Sequence, residues 1–377
     1  MSSELSDTFW SHFSQITDPR QNTHNKRHEL KDILLLALLA VICGAESWVE
    51  VEDFGRAKIS WLEKILSLPH GIPSHDTIGR VFSLISPTQF RAGFLSWTKS
   101  LVTLTDGEFI AIDGKTLRRS HDRPKGEKAI HMVSAWASNN SLVLSQIKTD
   151  EKSNEITAIP ELLDLLCLKG CVVTIDAMGC QKVIAEKIVE QAGDYVLALK
   201  DNHQKLRKAV SDYLDDQVSG SSGILSYHET QDKGHGRFEI RRYWLTDQID
   251  WLEQKAEWAK LQSIGLVESE RHIDGKITTE RRYYLCSLDN DVKCFSQSVR
   301  NHWGVENRLH WCLDVAFNED QSRVRKDHAA ENFAILRHIV LNMLRRETTT
   351  KKGLKVKRRK AGWSKSYLTK ILDINDF

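Results

Sequence analysis

The feature that most constrains the fold is the succession of apolar runs between residues 108 and 200. These runs predict three strands, a helix, a strand, a second helix and a final strand. The first strand is Phe109–Ile112, and Ser138–Ser141 is a typical hairpin turn between the second and third strands. A meander that leads into alternating strands and helices predicts an α/β domain with a mixed sheet.

Two of the predicted strands are followed directly by an aspartate. In Phe109–Arg118 four apolar residues precede Asp113, and the Asp-Gly pair by itself most simply indicates a hairpin turn. In Cys171–Gly179 a β-branched run ends at Asp176, which is a candidate to open the loop or cap the helix predicted over 181–192. Because ligands of open α/β sheets bind outside the carboxyl ends of strands, Asp176 is also a candidate site residue.

A third acid, Glu306, lies in a predicted helix over Phe295–Leu313. At about 100° per residue, Glu306 falls in the middle of an apolar stripe. The other members of this stripe are Phe295, Val299, Trp303, His310 and Leu313. An ionised carboxylate that points into a core is costly unless it is paired or bound to a metal, so a surface charge is a poor explanation for Glu306. For the neighbouring His and Trp, core packing is the expected role.

The rest of the chain divides into segments of different character. The order of strands, helices and acids matches the ribonuclease H fold, which carries acids on its first and fourth strands and on a later helix. Runs rich in Arg, Glu and Tyr predict an antiparallel β insertion. The predicted segments are an all-helical N-terminal domain over 1–104, a ribonuclease H-like catalytic domain over 105–203 and 294–348, the β-rich insertion over 204–293 and a basic tail over 349–377.

Charge is informative through its distribution, because the net charge of the 377 residues is only +2. The acid-free run Lys351–Lys360 is either a solvated tail or a segment that contacts phosphates through residues such as Lys357, Arg358 and Arg359. Positive charge beside a carboxylate suits a polyanionic substrate. The cations that follow Asp113 are Lys115, Arg118, Arg119, Arg123 and Lys125.

Cysteine usage and hydropathy indicate the compartment. The chain has seven cysteines without CxxC pairs and no N-terminal signal sequence, which favours a reducing cytoplasm. The longest apolar run, Ile33–Cys43, is too short to span a bilayer and predicts a buried helix. We therefore expect a cytoplasmic protein with no membrane partner.

Nearly the whole chain resembles the H-repeat-associated proteins, a family of DDE-type transposases of bacterial insertion sequences. The matching segments are IAIDGKTLRRS, VSAWAS, EITAIPELL, VVTIDAMGCQ, YVLALK, RNHWGVENRLHWCLDVAFNED and FAILRHIVLNML, preceded by ELKDILLLALLAVICG and IPSHDTIGRVF. The resemblance implies that Asp113, Asp176 and Glu306 form a catalytic triad that binds two Mg²⁺ or Mn²⁺ ions. It also implies cleavage at the ends of an element and joining of the freed 3′-OH to target DNA.

The likeness is incomplete around the glutamate. The wider superfamily often carries Tyr, Arg and Lys near this acid, and Val299, His302 and Leu313 stand at those positions here. The nearest candidates for contact with the DNA end are His302, Trp303 and Asn307, and Asp201-Asn202 is a further candidate to line the site. By analogy we expect a homodimer to hold two terminal repeats in the active complex, and we expect the protein to be nucleoid-associated.

Two other functions remain open from the sequence. One is a metal-dependent endonuclease that cleaves DNA without joining it. The other is a catalytically silent DNA-binding remnant whose acids are structural. Asp314 and Glu319 also compete with Glu306 for the third metal-ligand position.

Overall fold

The computed structural model describes residues 10–21, 26–102, 107–121, 128–149, 155–220, 223–234 and 236–372. The cations Arg123 and Lys125 and the boundary predicted between residues 104 and 105 lie outside these ranges. Within them, no helix has the length and apolar character needed to cross a membrane.

The helices between residues 30 and 101 make up most of the N-terminal part of the described chain. They are α1 (Leu30–Ile42), α2 (Trp48–Leu62), α3 (His75–Leu84) and α4 (Pro87–Leu101). The side chains of Ser47, Ser74 and Ser86 accept hydrogen bonds from backbone N–H groups in the first turns of α2, α3 and α4. Helix α1 is apolar on all faces and is buried almost completely, and Gly44, with a φ of +116°, follows its end.

A nine-stranded mixed sheet runs through the described part of the chain in the order β3-β2-β1-β4-β5-β9-β8-β7-β6. Strand β1 pairs antiparallel with β2 and parallel with β4, and β4 pairs parallel with β5. The predicted mixed sheet of an α/β fold is therefore confirmed. The strands are β1 (Phe109–Thr116), β2 (His131–Ala137), β3 (Leu142–Lys148), β4 (Val172–Ile175), β5 (Asp194–Leu199), β6 (Ser226–Gly234), β7 (Arg237–Thr246), β8 (Ser263–Ile273) and β9 (Lys276–Cys286).

The three strands expected in the insertion, β7 to β9, and the additional strand β6 continue this sheet. Strands β6 to β9 pair antiparallel with one another, and β9 pairs antiparallel with β5. The backbone groups along the outer side of β5 are thus satisfied by β9, which spares the sheet an exposed edge at that position.

The remaining helices flank the sheet or fill the space between it and the N-terminal helices. They are α5 (Glu155–Asp164), α6 (Lys182–Glu190), α7 (Gln204–Gly220), α8 (Val292–Gly304), α9 (Trp311–Phe317), α10 (Ala329–Arg346), α11 (Leu354–Trp363) and α12 (Lys365–Ile371). Helix α10 is buried along most of its length and packs against α1, α3, α4 and β3. It therefore joins the helical N-terminal part to the sheet.

Asn342 of α10 fastens the edge strand β3. Its side-chain Oδ1 accepts a hydrogen bond from Val143 N at 2.9 Å, and its Nδ2 donates to Val143 O at 2.8 Å. Asn342 is fully buried, so no water replaces it as a partner of this backbone.

We predict that Asn342→Leu lowers the free energy of unfolding by about 2–4 kcal/mol, because one buried N–H and one buried C=O lose their partners. Urea unfolding of the full chain measures this change. Asn307→Leu, at an exposed helical position, should change stability by less than about 0.5 kcal/mol. Equal effects of the two substitutions would contradict the proposed role of Asn342.

The basic run near the C-terminus is largely helix α11, and two of its cations are buried. Lys357 donates to Leu344 O at 2.8 Å and to the carbonyl of Glu347, at the C-terminal end of α10. Arg358 donates to three backbone carbonyls at the C-terminal ends of α1 and α9. Lys357 and Arg358, which were expected to contact DNA, are thus buried, and their charges cap helix C-termini inside the protein. Arg359 is exposed.

Candidate active site

The register of the sheet brings Asp113 and Asp176 to the same edge. Ile112 of β1 pairs with Ile175 of β4, and each strand then continues with its aspartate. Register partners on adjacent parallel strands point to the same face, so both carboxylates enter one crevice. Asp113 lies within β1, opposite Ser134 of β2, and not in a hairpin turn.

Gly114, which follows Asp113, allows two side chains to approach the backbone of β1 closely. His131 Nε2 lies 2.6 Å from Glu155 Oε1, and this pair passes over the backbone of β1 at Gly114. A Cβ atom at Gly114 would lie 2.1 Å from the Glu155 carboxylate oxygen, which leaves no room for a side chain.

Asp176 also shapes the loop that follows β4. Its Oδ1 accepts hydrogen bonds from Met178 N at 3.1 Å and Gly179 N at 3.3 Å. The interpretation that this acid opens the loop is therefore correct, and the same side chain lines the crevice beside Asp113.

Glu306 reaches the crevice from a helix that changes its winding. Helix α8 runs into a π-helical turn over Val305–His310, which continues as α9. The straight-helix projection that put Glu306 in the middle of the apolar face is wrong, because Val305 and Leu309 take the buried positions. The Glu306 side chain is 57% exposed and lies at the crevice rim. Turns of this kind are frequent at functional sites.

Asp113, Glu306 and His310 form a compact group of potential metal ligands. One ligand atom from each residue lies within 4.8 Å of the other two. His310 Nδ1 is 3.5 Å from Asp113 Oδ2 and 3.8 Å from Glu306 Oε2. Two of the three predicted acids thus converge, while Asp176 shares the crevice outside this tightest group. Sequence reasoning assigned His310 to the core, although its spacing of four residues from Glu306 is typical of two ligands on one helix face.

Comparisons with known proteins identify the family of the chain. A family model described as Transposase DDE domain matches residues 97–343, and one described as DDE_Tnp_1-associated matches residues 10–98. The chain belongs to the DDE transposase family. It is 45% identical over 366 residues to "H repeat-associated putative transposase YhhI" of Escherichia coli strain K12, covering 96% of each chain. The similarity to YbfL of the same strain has the same identity and coverage.

A solved structure, the piggyBac transposase synaptic complex with hairpin DNA, superimposes with a TM-score of 0.43 at 11% identity. The match covers 99% of this chain and 78% of that chain. The superposition is too weak to bear on the fold or function of this DDE transposase family member.

The crevice of this transposase family member has a volume of about 440 Å³, and residues of strands β1 and β4 and of helix α8 are among those that line it. His302 Nδ1 lies 3.1 Å from Thr174 Oγ1, and the Arg282 guanidinium lies 4.6 Å from the centroid of the Trp303 ring. Asn307 is exposed beside them and donates to Trp303 O at 3.2 Å. His302, Trp303 and Asn307 thus lie at or beside the crevice that holds the acids.

Asp201 also lines the crevice, where it pairs with Arg207 at 3.1 Å. Asn202 donates to Ala177 O at 2.8 Å and so fixes the loop that begins at Asp176.

Lys115 forms ion pairs with acidic side chains of the protein. Its Nζ lies 2.5 Å from Asp314 Oδ1 and 2.9 Å from Glu319 Oε2, with Asp320 Oδ1 at 3.4 Å. The ammonium of Lys115, which was expected to contact DNA, is thus held by three carboxylates of the protein. Lys115 thus pairs with Asp314 and Glu319, whereas Glu306 is the acid that lies beside Asp113. Of the other predicted cations, Arg118 is 80% exposed at 3.2 Å from Asp320, and Arg119 is exposed.

The electrostatics of the transposase crevice favour a bound cation. The pKa of Asp113 is raised to about 7, chiefly by burial and also by the charges of Glu306 and Asp176, while His310 opposes the shift. Burial and the charge of Glu155 raise the pKa of Asp176. Interaction with His310 lowers the pKa of Glu306, and burial lowers the pKa of His302 to about 4, so His302 is neutral at pH 7.

This shift of Asp113 predicts a pH dependence of stability in the metal-free protein. The native pKa of about 7 exceeds the ordinary value of 3.8, so the native state binds more protons between these values and loses stability as pH rises through them. Relative to the parent, Asp113→Asn should therefore gain about 2–3 kcal/mol in free energy of unfolding between pH 5 and pH 8. Urea unfolding in EDTA at both pH values measures the difference. A difference that does not change with pH would contradict the assignment.

Proposed function

We propose that this protein is the DNA transposase of a bacterial insertion sequence. It cleaves DNA at the terminal repeats of the element and transfers the freed 3′-OH to target DNA. The observation that carries the proposal is the meeting of Asp113 and Glu306 in one crevice that Asp176 also lines. Membership of the DDE transposase family supports the same reaction class.

A ribonuclease H-like catalytic domain is part of this proposal. The strand order β3-β2-β1-β4-β5 supports it, as do acids on the first and fourth strands and on a later helix. We propose residues 105–203 and 294–348 as its two parts, with 204–293 inserted between them. Residues 1–104 are proposed to bind the element ends.

The residues present fit a divalent cation. Asp113 and Glu306, with carboxylate oxygens within 4.8 Å of each other, offer the oxygen ligands that Mg²⁺ and Mn²⁺ accept, and the lack of a cysteine in this group argues against a thiolate zinc site. Asp113, Asp176 and Glu306 would hold two such ions. When bound, the ions clamp an in-line phosphoryl displacement by stabilising both the attacking and the leaving oxygen.

The neighbouring side chains orient the DNA. The stacked Trp303 and Arg282 present an aromatic face and a positive charge at the crevice, which suits an unpaired base next to a phosphate. His302 contributes hydrogen bonds without charge, because its pKa is about 4. Exposed Arg118, Arg119 and Arg359 are left to neutralise phosphates farther along the duplex. Because two ends must be joined in one event, we propose a homodimer in the active complex.

The test uses the full chain, Mg²⁺ and a plasmid that carries the coding sequence with its flanking DNA. We expect strand cleavage at the borders of the element, and pre-cut border fragments should become joined to a second plasmid. Cleavage without joining would identify an endonuclease, and binding without cleavage would identify a silent remnant. Either result would overturn the proposal.

A further inference from the structure

His310 occupies a position that core packing alone explains poorly. Its side chain is 7% exposed, and Nδ1 faces the carboxylates of Asp113 and Glu306. Within the described residues, its Nε2 is buried with no hydrogen-bond partner. The two acids are thus the polar groups that define the orientation of the ring.

The separations match a shared ion better than direct hydrogen bonds. Nδ1 lies 3.5 Å from Asp113 Oδ2 and 3.8 Å from Glu306 Oε2, beyond the usual limit of about 3.2 Å for N–H···O bonds. Ligand atoms at about 2.1 Å from an octahedral cation lie about 3 Å apart when adjacent and about 4 Å apart when opposite. The observed group, with all three atoms within 4.8 Å, needs little adjustment to surround one ion.

The helix supplies Glu306 and His310 through the same local irregularity. Both lie in the π-helical turn over Val305–His310, and they are four residues apart. The turn leaves Glu306 at the rim and His310 beneath it, so that one helix contributes an oxygen and a nitrogen to the Asp113 side of the site.

We propose that His310 Nδ1 is a metal ligand together with Asp113 and Glu306, and that it makes this position prefer Mn²⁺ over Mg²⁺. The proposal rests on the proposed metal-dependent function. Imidazole nitrogen is a good ligand for transition metals, whereas Mg²⁺ takes oxygen ligands almost exclusively. With Nδ1 bound to the ion, the ring proton resides on Nε2.

The direct test is pulsed electron paramagnetic resonance of Mn²⁺ bound to the full-length parent protein. We expect nitrogen modulation from a coordinated imidazole, and its frequency should change when the protein is labelled with ¹⁵N-histidine. Bound Mn²⁺ without a histidine nitrogen would overturn this proposal and leave the carboxylate site standing. Absence of bound Mn²⁺ would overturn the metal site and the proposed function together.

A pair of variants then assigns the nitrogen. His310→Gln should remove the modulation and weaken Mn²⁺ binding by about 10–100-fold, with a change in Mg²⁺ binding below about threefold. His302→Gln, which alters the histidine that lines the crevice, should retain the modulation. Loss of the signal in His302→Gln alone, or equal weakening of both metals in His310→Gln, would overturn the assignment.

Discussion

Replacement of Asp113 by asparagine is expected to reduce Mg²⁺-dependent DNA cleavage by about 10³-fold or more. Asparagine keeps the shape of the side chain but removes a negative charge from the group that would bind the metal, a loss of about 4 kcal/mol in transition-state stabilisation. The same variant should be more stable than the metal-free parent above pH 7, because a buried charge is gone. Single-turnover plasmid nicking and urea unfolding measure the two effects.

The control for Asp113→Asn is the same substitution at an exposed surface aspartate. Asp164 is exposed at the end of α5 and pairs with Lys187 at 2.6 Å. Asp164→Asn should change the nicking rate by less than twofold. An Asp113→Asn protein that nicks DNA at the parent rate would remove Asp113 from the catalytic group.

Replacement of Arg358 by methionine is expected to lower the free energy of unfolding by about 3–5 kcal/mol. The guanidinium donates to the carbonyls of Val41, Ala45 and Ala316, so its loss removes the side-chain donor of the Ala45 and Ala316 carbonyls, while Val41 O keeps the Gly44 N–H. Each buried carbonyl without a partner costs about 1–3 kcal/mol. Methionine fills much of the same space and limits any effect of a cavity.

Arg359→Met is the matched control, because it removes the same charge from the exposed face of α11. It should change stability by less than about 0.5 kcal/mol. Denaturant midpoints that fall equally for the two variants would show that the helix needs its charge and not the Arg358 hydrogen bonds.

The central sheet could be predicted from sequence because each of its strands has a recognisable local pattern of apolar residues. The β-branched runs at Phe109–Ile112 and in Cys171–Gly179 marked two neighbouring strands, and their terminal aspartates marked one sheet edge. The extension of β1 to Thr116 could not be predicted, because an Asp-Gly pair can form a hairpin turn or lie within a strand. Here Gly114 admits the His131–Glu155 pair over the strand, a contact between residues distant in sequence.

The glutamate helix shows a second limit. A fixed angle per residue assumes one winding throughout, and the π-helical turn at Val305–His310 breaks that assumption. The sequence predicted that Glu306 belongs to the site, but it did not predict the exposed rim position or the approach of His310. Nothing in the local residue pattern indicated where the winding would change.

The basic run near the C-terminus shows a third limit. Charge density alone does not distinguish a cation that meets DNA from one that caps a helix. The partners of Arg358 lie at Val41, Ala45 and Ala316, far away in sequence, so only the assembled fold identifies the role.

The most direct measurement is an anomalous diffraction experiment on crystals of the full chain soaked in Mn²⁺. We predict a strong anomalous peak at ligand distance, about 2.2 Å, from carboxylate oxygens of both Asp113 and Glu306, inside the crevice that Asp176 lines. A crevice without a peak at saturating Mn²⁺, or a peak bound instead by Asp314 and Glu319, would contradict a metal-dependent transposase site at these residues.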